Sequence, residues 1–462
     1  MKLPVAPPPT QELLRELLAS PAGRERFTSG AISSMGPTTG GKYRHWDTFR
    51  HIDVDDGLSA QERWLAVKIA RQSLYQLLPL VDKKGQAFRY ALPGQALEML
   101  HHIDRDASGS IRTSEQVTNP QTRDTYLIKS LVEEAITSSQ LEGASTTRQV
   151  AKDMLRAGRE PTDRSERMIL NNYRAMHFVR ELLHEDLTPA IVLELQRILT
   201  DGTLDNPDAA GRTRALDEPI HVTDEIGTIL HVPPNAGELD ARLRAMCDFA
   251  NSHNPEPFIH PVVRAIALHF WLAYDHPFVD GNGRTARALF YWAMARDGYW
   301  LCEYISISRI LKRARGKYAR SFLYTETDEN DLTYFLLAQL GVIRQAIKEL
   351  HEFLARKQDE MRRTEEFLRR DARWRQELNP RQLALLNHAL KKPDAAYSVE
   401  SHRRSHNISY ETSRSDLTSL VKRGLLTQSK QGRMFWFRAS KALRESLGIS
   451  SPAAGTHQMS AP

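Results

Sequence analysis

Residues 276–287, HPFVDGNGRTAR, bring a histidine, a carboxylate, a Gly-Asn-Gly turn and two arginines together within twelve positions. A histidine, whose usual pKa is about 6.5, can accept a proton at neutral pH. The carboxylate of Asp280 is a hard oxygen ligand suited to Mg²⁺. The glycines of the turn let the backbone direct its N–H groups toward an anion where a helix begins. The two arginines are three residues apart, so they share one helix face and can reach the same polyphosphate.

In this order and spacing, the same residues resemble the signature of the Fic family, HPFx(D/E)GNGRxxR, at every fixed position. Each feature taken alone is common in loops that precede helices, and the specificity comes from the combination. The resemblance implies transfer of AMP from ATP to a side-chain hydroxyl of a target protein. The fold class that we expect is mainly α, with a Fic helical core, a β-hairpin flap, a helical N-terminal extension and a C-terminal winged helix.

The resemblance also implies a role for each residue of the motif. His276 is the expected catalytic base for the attacking hydroxyl, Asp280 is the expected ligand of Mg²⁺, and Phe278 should anchor the loop in the core. ATP is the implied co-substrate. The expected nucleotide-binding residues are Gly281, Asn282, Gly283, Arg284 and Arg287. Of these, Asn282 and the glycine N–H groups would hold the α-phosphate, while Arg284 would face the β-phosphate and Arg287 the γ-phosphate.

Residues 122–143, TRDTYLIKSLVEEAITSSQLEG, predict a helix with an apolar stripe, ended by a glycine. Its end reads Ser138-x-x-x-Glu142-Gly143, which on the residues alone is a plain capped helix. Next to the Fic signature, it resembles the inhibitory motif (S/T)xxxE(G/N) of the N-terminally autoinhibited class. That resemblance implies that Glu142 pairs with Arg287 and keeps the guanidinium from the γ-phosphate of ATP.

Length and composition are typical of a soluble globular protein with two or three domains, since the 462 residues are 41% hydrophobic and 26% charged. Cys247 and Cys302 lie far apart without metal-ligand spacing, so neither a disulfide framework nor a zinc site is predicted. No apolar run precedes Pro7, and none reaches the roughly 18 residues of a membrane span. We therefore expect a cytoplasmic protein without a membrane partner.

The sequence pattern predicts five segments. They are a helical N-terminal extension at 1–120, a Fic core at 121–340, a helical connector at 341–378, a winged-helix domain at 379–448 and a disordered tail at 449–462. The connector is long and charged, so it is interpreted either as a plain connector or as the arm of a homodimer.

Two stretches of the extension lead to local predictions. Residues 57–81 begin at a capping box formed by Ser59 and Glu62 and predict a single helix. Residues 104–115, DRDASGSIRTSE, fit the spacing of an EF-hand loop for Ca²⁺. A polar turn explains this second stretch as well, because EF-hands come in pairs and Pro120 interrupts the following helix. Calcium binding therefore stays open.

Short β-type runs at 220–222 and 229–232 surround Asp224-Glu225-Ile226-Gly227 and predict a hairpin. In a mainly helical chain, this hairpin resembles the Fic flap, which holds a target peptide by strand addition. His269 lies in an apolar stretch and is interpreted as a core histidine. Tyr318 and Tyr324 either flank a nucleotide base or pack without a ligand.

The C-terminal region is basic. Residues 361–450 hold 19 Lys and Arg against 9 Asp and Glu, whereas the whole chain has a net charge of +6. Three predicted helices and a terminal hairpin indicate a winged helix, with Arg414 near the start of the third helix. DNA is the predicted partner, contacted also by the wing residues Lys430, Arg433 and Arg438. A winged helix used for protein contacts is the alternative.

Two further functions remain compatible with the sequence. In some Fic proteins the inhibitory glutamate helps to remove AMP from targets, so a de-AMPylating enzyme is one alternative. The other is a winged-helix DNA-binding regulator with a secondary Fic activity. The intact motif at 276–287 favours the adenylyltransferase.

Overall fold

In the computed structural model the chain is mainly helical, and its described residues form three small sheets. No described helix has the length and apolar character needed to cross a lipid bilayer. The structure describes residues 2–30, 32, 34–54, 56–108, 120–252, 256–368, 378–391, 395–431, 434–440 and 443. The chain forms two compact units, one made of residues 1–111, 130–151 and 161–348, the other of residues 112–129, 152–160 and 349–462.

The N-terminal part contains five helices and one hairpin. Their bounds are α1 Thr10–Ala19, α2 Pro21–Thr28, α3 Trp46–Phe49, α4 Ala60–Gln72, β1 Gln76–Val81, β2 Ala87–Tyr90 and α5 Gly94–Ala107. Helix α4 begins at the predicted capping box of Ser59 and Glu62, in which each side chain accepts from the backbone of the other. The helix predicted to open at Ser59 is therefore present, whereas α1 and α2 lie in residues 1–40, which were predicted to be poorly ordered or an arm packed on the body.

The predicted helix at 57–81 is wrong over its last third, because β1 pairs antiparallel with β2 there. Leu78 and Leu80 are buried, whereas Leu77 and Val81 are exposed. This alternation has the period of a strand and not that of a helix. Pro79 also lacks the N–H group that a continued helix would use. Because several leucines follow one another here, the sequence pattern does not show where the helical period gives way to the period of a strand.

A buried charge network joins α4 to the residues after 327. Lys68 Nζ lies 2.8 Å from Asp328 Oδ1, and both side chains are buried. The hydroxyl of Tyr334 donates to Asp328 Oδ2 at 2.7 Å. Burial is the largest single effect and acts to raise the pKa of Asp328, but the charges of Lys68 and Arg71 and the hydrogen bonds from Lys68 and Tyr334 together outweigh it, so this pKa lies below its usual value. The network therefore depends on an ionised carboxylate.

Replacing Lys68 by methionine should lower the free energy of unfolding by about 3–5 kcal/mol, because Asp328 would remain buried without its cation. Urea unfolding at pH 7 measures the loss. The contribution of Asp328 is present above the pKa of an unfolded aspartate, about 3.9, and disappears as the pH falls through the lower folded pKa. The exposed Lys42 provides the matched control, and Lys42→Met should change stability by less than about 0.5 kcal/mol. Equal effects of the two variants would contradict a stabilising role for the network.

The central helices carry the motif. Their bounds are α6 Pro120–Leu141, α7 Arg148–Ala157, α8 Arg164–Glu181, α9 Pro189–Thr200, α10 Leu239–Asn251, α11 Pro261–Asp275, α12 Asn282–Arg296, α13 Ile307–Arg313, α14 Arg315–Thr327 and α15 Thr333–Leu368. Nearly every residue of α11 and α12 is buried. The HPFVDGNGRTAR stretch is the turn between these two helices, so the core of the fold fixes its position.

The predicted hairpin is confirmed as an element. Strands β3 (Val222–Thr223) and β4 (Ile229–His231) pair antiparallel, with Val222 opposite His231. The turn between them exposes Ile226, and Ile229 is half-exposed. The predicted helix at 122–143 is also present as α6, which ends before Gly143, where φ is +98°. Only glycine adopts such a backbone without strain.

The first residues of the EF-hand pattern lie in a helix. Asp104 belongs to α5, where one carboxylate oxygen accepts from the Tyr299 hydroxyl at 2.6 Å and the other lies 3.1 Å from His260 Nε2. Asp106 belongs to the same helix and pairs with Arg105. Residues 109–115 lie outside the described residues. The described residues 104–107 are therefore helical and do not form the polar turn, and the carboxylate of Asp104 is occupied by contacts within the protein.

The described residues between 378 and 443, which belong to the second unit, form three helices and a three-stranded sheet. Their bounds are α16 Pro380–Lys391, β5 Ala396–Tyr397, α17 Val399–His406, α18 Tyr410–Lys422, β6 Leu426–Gln431 and β7 Met434–Ala439. The sheet has the order β5-β7-β6 and is antiparallel throughout. The three predicted helices and the hairpin are present, whereas β5 was not predicted. Its core includes Leu417, Leu420 and Phe437. The predicted disordered tail lies outside the described residues.

Candidate functional site

His276 directly follows α11 and has a left-handed backbone, with φ +45° and ψ +56°. Residues other than glycine seldom adopt this conformation, and it persists where neighbours impose it. Arg214 is such a neighbour, since its Nε donates to the carbonyl of His276 at 3.0 Å and its backbone N–H donates to the carbonyl of Pro277 at 2.8 Å. The position of this histidine is therefore fixed from outside α11.

The ring of His276 has the form expected of a base. Its Nδ1 lies 3.2 Å from the carbonyl oxygen of Ala273, so Nδ1 carries the proton and donates. Nε2 is then left with a free lone pair. Burial is the main cause that lowers the pKa of His276, to about 4. The ring is therefore neutral at pH 7 and able to accept a proton.

Asn282 closes the loop that follows the histidine. Its Oδ1 accepts from the backbone N–H of Phe278 at 2.9 Å, and its Nδ2 donates to the carbonyl of Phe278 at 2.8 Å. The Phe278 ring is fully buried. Gly281 begins α12 at φ +90°, and a Cβ there would lie 2.9 Å from Thr200 Cγ2. In the structure, the Asn282 side chain therefore stabilises the loop. Its contact with a phosphate stays a prediction.

Asp280 presents a half-exposed carboxylate at the start of α12. One oxygen accepts from the N–H of Gly281 at 2.6 Å, and the other lies 3.1 Å from Arg284 Nη2. Among the described residues, no three His, Cys, Asp or Glu side chains come together as a metal site. Mg²⁺ is usually held by one or two carboxylates together with phosphates and water. The side chain of Asp280 is 41% exposed, so it fits a Mg²⁺ ion that arrives with a nucleotide.

Arg284 is buried beside this carboxylate. Its Nη1 donates to the carbonyl of Leu199 at 2.8 Å. Within the described residues, its Nε has no hydrogen-bond partner, although it is buried. A buried donor without a partner is costly. The guanidinium thus has a donor left for an anion near the turn.

Gln196 was missed by the sequence analysis and supports the turn from α9. Its Nε2 donates to the carbonyl of Asp280 at 3.1 Å, and its Oε1 accepts from the N–H of Gly211 at 2.6 Å. No sequence signal marks a single buried glutamine in an amphipathic helix. Its partners lie far away along the chain, so only the folded structure shows its role.

Glu142 and Arg287 meet as the resemblance implied. Arg287 Nη2 donates to Glu142 Oε1 at 2.9 Å, and Arg287 Nε donates to the hydroxyl of Ser138 at 2.9 Å. Arg287 is buried. Burial is the largest single effect and acts to lower the pKa of Arg287, but Glu142 and its other neighbours together outweigh it, so the pKa is raised. The guanidinium is thus a firmly charged group held by the end of α6.

The carboxylate of Glu142 lies over the first turn of α12. A Cβ placed on Gly283 would be 2.2 Å from Glu142 Oε1 and 3.0 Å from Arg287 Nη1. The absence of a side chain at position 283 therefore makes room for an anion. The first N–H groups of a helix have no partners within the helix and attract negative charge. In this structure, the Glu142 carboxylate lies in that space and pairs with Arg287.

Helix α6 is anchored to the core at its middle and at its end. The buried carboxylate of Glu134 accepts from the hydroxyl of Tyr291 at 2.9 Å, from the hydroxyl of Ser306 at 2.7 Å and from the N–H of Ser308 at 3.2 Å. At the end of the helix, Lys312 Nζ donates to the side-chain oxygen of Gln140 at 2.6 Å. Sequence reasoning missed these contacts, because a glutamate inside a helix looks like an exposed residue.

The hairpin is tied to the end of α11. In β4, His231 Nδ1 lies 2.8 Å from Glu326 Oε2, and its Nε2 lies 2.7 Å from the carbonyl oxygen of Tyr274. Tyr274 precedes His276 by two residues. Strand β4 is therefore bonded to the last turn of α11, just before the turn that carries His276.

The aromatic residues near the site divide into two kinds. Tyr318 has its hydroxyl 2.8 Å from His269 Nε2, and His269 is fully buried. Burial, followed by the charge of Arg287, lowers the pKa of His269 to about 3. His269 is therefore a neutral core residue at pH 7. Tyr324 stacks on His45 with ring centroids 4.2 Å apart. One face of the Tyr324 ring is therefore covered by His45, whereas Tyr318 lies beside Arg287.

Residues 186–294 match the Fic/DOC family. The protein adenylyltransferase Fic of Nematostella vectensis is 30% identical over 207 residues, which cover 44% of this chain and 45% of that protein. The protein adenylyltransferase Fic of Drosophila melanogaster is 28% identical over 243 residues, which cover 50% of this chain and 47% of that protein. A crystal structure of a Fic family protein from Desulfovibrio desulfuricans G20 is 17% identical, covers 75% of this chain and 96% of that one, and has a TM-score of 0.49. The chain spans about half the length of the adenylyltransferases that it matches.

Proposed function

We propose that this chain, whose residues 186–294 match the Fic/DOC family and which is 30% identical over 207 residues to a protein adenylyltransferase Fic, transfers AMP from ATP to a Tyr, Thr or Ser hydroxyl of a target protein. One observation carries the proposal. A neutral His276 stands next to an anion site made by Arg287 and the start of α12. A base and a phosphate site placed together are what nucleotidyl transfer requires.

In the proposed reaction, His276 Nε2 takes the proton of the target hydroxyl. The hydroxyl oxygen then forms a bond to the α-phosphorus of ATP, while the bond from that phosphorus to the bridging oxygen breaks and pyrophosphate leaves. The N–H groups around Gly281 and Gly283 face the α-phosphate, where charge develops. Arg284, with its unpartnered Nε, faces the β-phosphate. Mg²⁺ held by Asp280 would neutralise charge on the phosphates when bound.

In the same proposal, Glu142 inhibits the enzyme. Its carboxylate occupies the place that the γ-phosphate would take and uses the Arg287 donor that this phosphate needs. Ser138 and Gly143 assist it, since Ser138 holds Arg287 from the other side and Gly143 ends the helix. Release of the end of α6 would then open the site to ATP.

Labelled ATP tests the reaction. Wild-type protein and Glu142→Gly are incubated with Mg²⁺, a cell lysate and ATP labelled on the α-phosphate, and protein-bound label is measured after separation. We expect label on protein, more of it with the variant. ATP labelled on the γ-phosphate, incubated with the purified Glu142→Gly protein alone so that lysate kinases do not contribute, is the matched control and should leave the protein unlabelled, because pyrophosphate carries that label away. Label from the γ-position would identify a kinase and contradict the proposal.

Removal of AMP is the second candidate activity. The side chain of Glu142 is 31% exposed within the site, so its carboxylate can accept a proton from a water molecule there. A target already carrying AMP, incubated with Mg²⁺ and without ATP, tests this reaction. Release of AMP by wild type, but not by Glu142→Gln, would assign the hydrolytic role to Glu142.

We also propose that the second unit is a winged helix that binds DNA. Helix α18 exposes Tyr410, Arg414 and Ser415 near its start, and the hairpin exposes Lys430 and Arg438. The predicted wing residue Arg433 lies outside the described residues. Asp416 holds the helices together, since it accepts from Arg381 Nε at 2.8 Å and lies 3.2 Å from His402 Nε2. A basic face on a rigid helix suits the major groove.

The two kinds of basic residue should affect DNA binding differently. Arg414→Ala should weaken binding by about 1–3 kcal/mol at preferred sequences only, because base contacts carry specificity. Lys430→Ala should weaken binding to all duplexes alike and reduce the slope of log affinity against log salt by about 0.9. Fluorescence anisotropy with labelled duplexes measures both, and the exposed Arg24, replaced by alanine, is the control. If no duplex binds even at low salt, the DNA-binding proposal is wrong and the alternative, a winged helix that contacts proteins, is favoured.

A further inference from the structure

The segment of α13 and α14 exposes only cationic side chains. Apart from Gly316, every exposed residue between 307 and 327 is a lysine or an arginine. These residues, called the basic surface below, are Lys312, Arg313, Arg315, Lys317 and Arg320. The sequence contains no Asp or Glu from Ile307 to Thr325. A concentrated positive charge on one short segment is therefore built into the first unit.

Two members of the basic surface hold the end of α6. Lys312 donates to the side-chain oxygen of Gln140, and Arg315 Nη2 donates to the carbonyl oxygen of the same residue at 3.0 Å and to that of Leu141. All these acceptors are neutral oxygens, so they leave the positive charge uncancelled. The bonds to α6 are charged on the donor side only, whereas an anionic acceptor adds direct attraction between opposite charges. An anion can therefore compete with α6 for both side chains.

The character of the surface points to phosphate. Within residues 307–327, all of which the structure describes, no large apolar side chain is exposed. Interfaces with folded proteins usually contain aromatic or apolar anchors at their centre. Binding to phosphate chains relies instead on Lys and Arg, with little need of apolar contact. The guanidinium groups of Arg315 and Arg320 also match the fork geometry of phosphate oxygens.

We propose that the basic surface binds a ligand with several phosphate groups in a row, the chemistry shared by inorganic polyphosphate and by a nucleic-acid strand. A bound phosphate chain takes over the donors of Lys312 and Arg315. The end of α6 then loses its hold, and Glu142, the residue after Leu141, separates more readily from Arg287. The ligand thus relieves inhibition, and this second step rests on the proposed adenylyltransferase function.

Binding is measured first, without any enzymatic readout. The full-length protein is titrated with inorganic polyphosphate, with labelled single-stranded DNA and with poly-glutamate at low salt. The Lys317→Glu, Arg320→Glu double variant should bind the phosphate chains much more weakly and, for single strands, show a salt slope smaller by about 1.4. The Lys83→Glu, Lys84→Glu variant is the matched control, since both lysines are exposed in the β1–β2 turn, and it should bind like wild type. Equal loss in both variants overturns the site.

The three ligands also identify the partner. Polyphosphate binding without strand binding assigns a free phosphate chain, whereas binding of both assigns a nucleic-acid strand as a further source. Poly-glutamate that binds as tightly as polyphosphate, and depends on Lys317 and Arg320, overturns the phosphate assignment in favour of an acidic protein segment.

Activity is measured second, at constant free Mg²⁺ because phosphate chains chelate it. Polyphosphate should raise AMP transfer by wild type several-fold and should not raise transfer by Glu142→Gly, which is already relieved. No rise in wild type, together with binding that depends on the basic surface, overturns the coupling to α6. Absence of transfer by Glu142→Gly itself would contradict the proposed function and leave the binding result standing.

Discussion

Replacement of His276 by asparagine is expected to lower the rate of AMP transfer by about 10²–10⁴-fold, the usual contribution of a general base. Asparagine is preferred to alanine because it tolerates the left-handed backbone of this position, at φ +45°. It keeps the turn and the contact of Arg214 with the carbonyl of residue 276, but it cannot accept the proton. The rate with α-labelled ATP at saturating substrate measures the loss, ideally in the Glu142→Gly background. The exposed His184, replaced by alanine, is the control.

The pH dependence supplies a second check on the same residue. The pKa of His276 is about 4, because burial disfavours its charged form. The ring is neutral above that pH and protonated below it, so transfer should be constant near neutrality and fall as the pH drops through about 4. A variant with near wild-type transfer would refute the assignment of the base. So would an acidic limb that persists unchanged in His276→Asn.

Glu142→Gly is expected to raise AMP transfer by roughly 10–100-fold. A hydrogen bond to a charged group contributes about 1.5–3 kcal/mol, and each 1.4 kcal/mol corresponds to tenfold in an equilibrium. The variant removes the carboxylate that pairs with Arg287 at 2.9 Å and opens the space beside Gly283. Since α6 already ends at Leu141, glycine at position 142 does not interrupt the helix. Self-modification with α-labelled ATP and the KM for ATP are the measurements.

Two controls separate inhibition from a general disturbance. Glu142→Gln keeps the shape of the side chain without its charge and should give an intermediate rise. Glu181→Gln, at an exposed position of α8, should give none. If Glu142→Gly leaves both transfer and the KM for ATP unchanged, the motif at 138–143 has only a structural role.

The features that were predicted from the sequence are all local, since the residues that define each one lie close together along the chain. The HPFVDGNGRTAR turn, the end of α6 and the β3–β4 hairpin each show their whole pattern within a few residues. The resemblance then supplied the pairing of Glu142 with Arg287, across 145 positions. No periodicity in the chain contains that pairing, because it depends on which helices pack together.

The residues that sequence reasoning missed are polar groups whose partners are distant. Glu134, Gln196 and His231 each lie in an ordinary-looking helix or strand and gain their roles from contacts far along the chain. The error at β1 has another cause. A dense run of leucines satisfies the helical period and the strand period equally, and only the burial of alternate residues distinguishes them.

The space beside Gly283 is occupied by the carboxylate of Glu142, which therefore acts as an intramolecular ligand. One pocket for one anion means that the glutamate and a nucleotide phosphate exclude each other, and the glutamate is present at a fixed effective concentration set by the short chain that links it to α6. Dilution of the protein cannot remove such a competitor. Under the proposed function, the apparent affinity for ATP equals the intrinsic affinity scaled by the open fraction, so it reports how often the end of α6 leaves Arg287. Comparing ATP titrations of wild type and of Glu142→Gly therefore gives the open fraction without a structure of the open state.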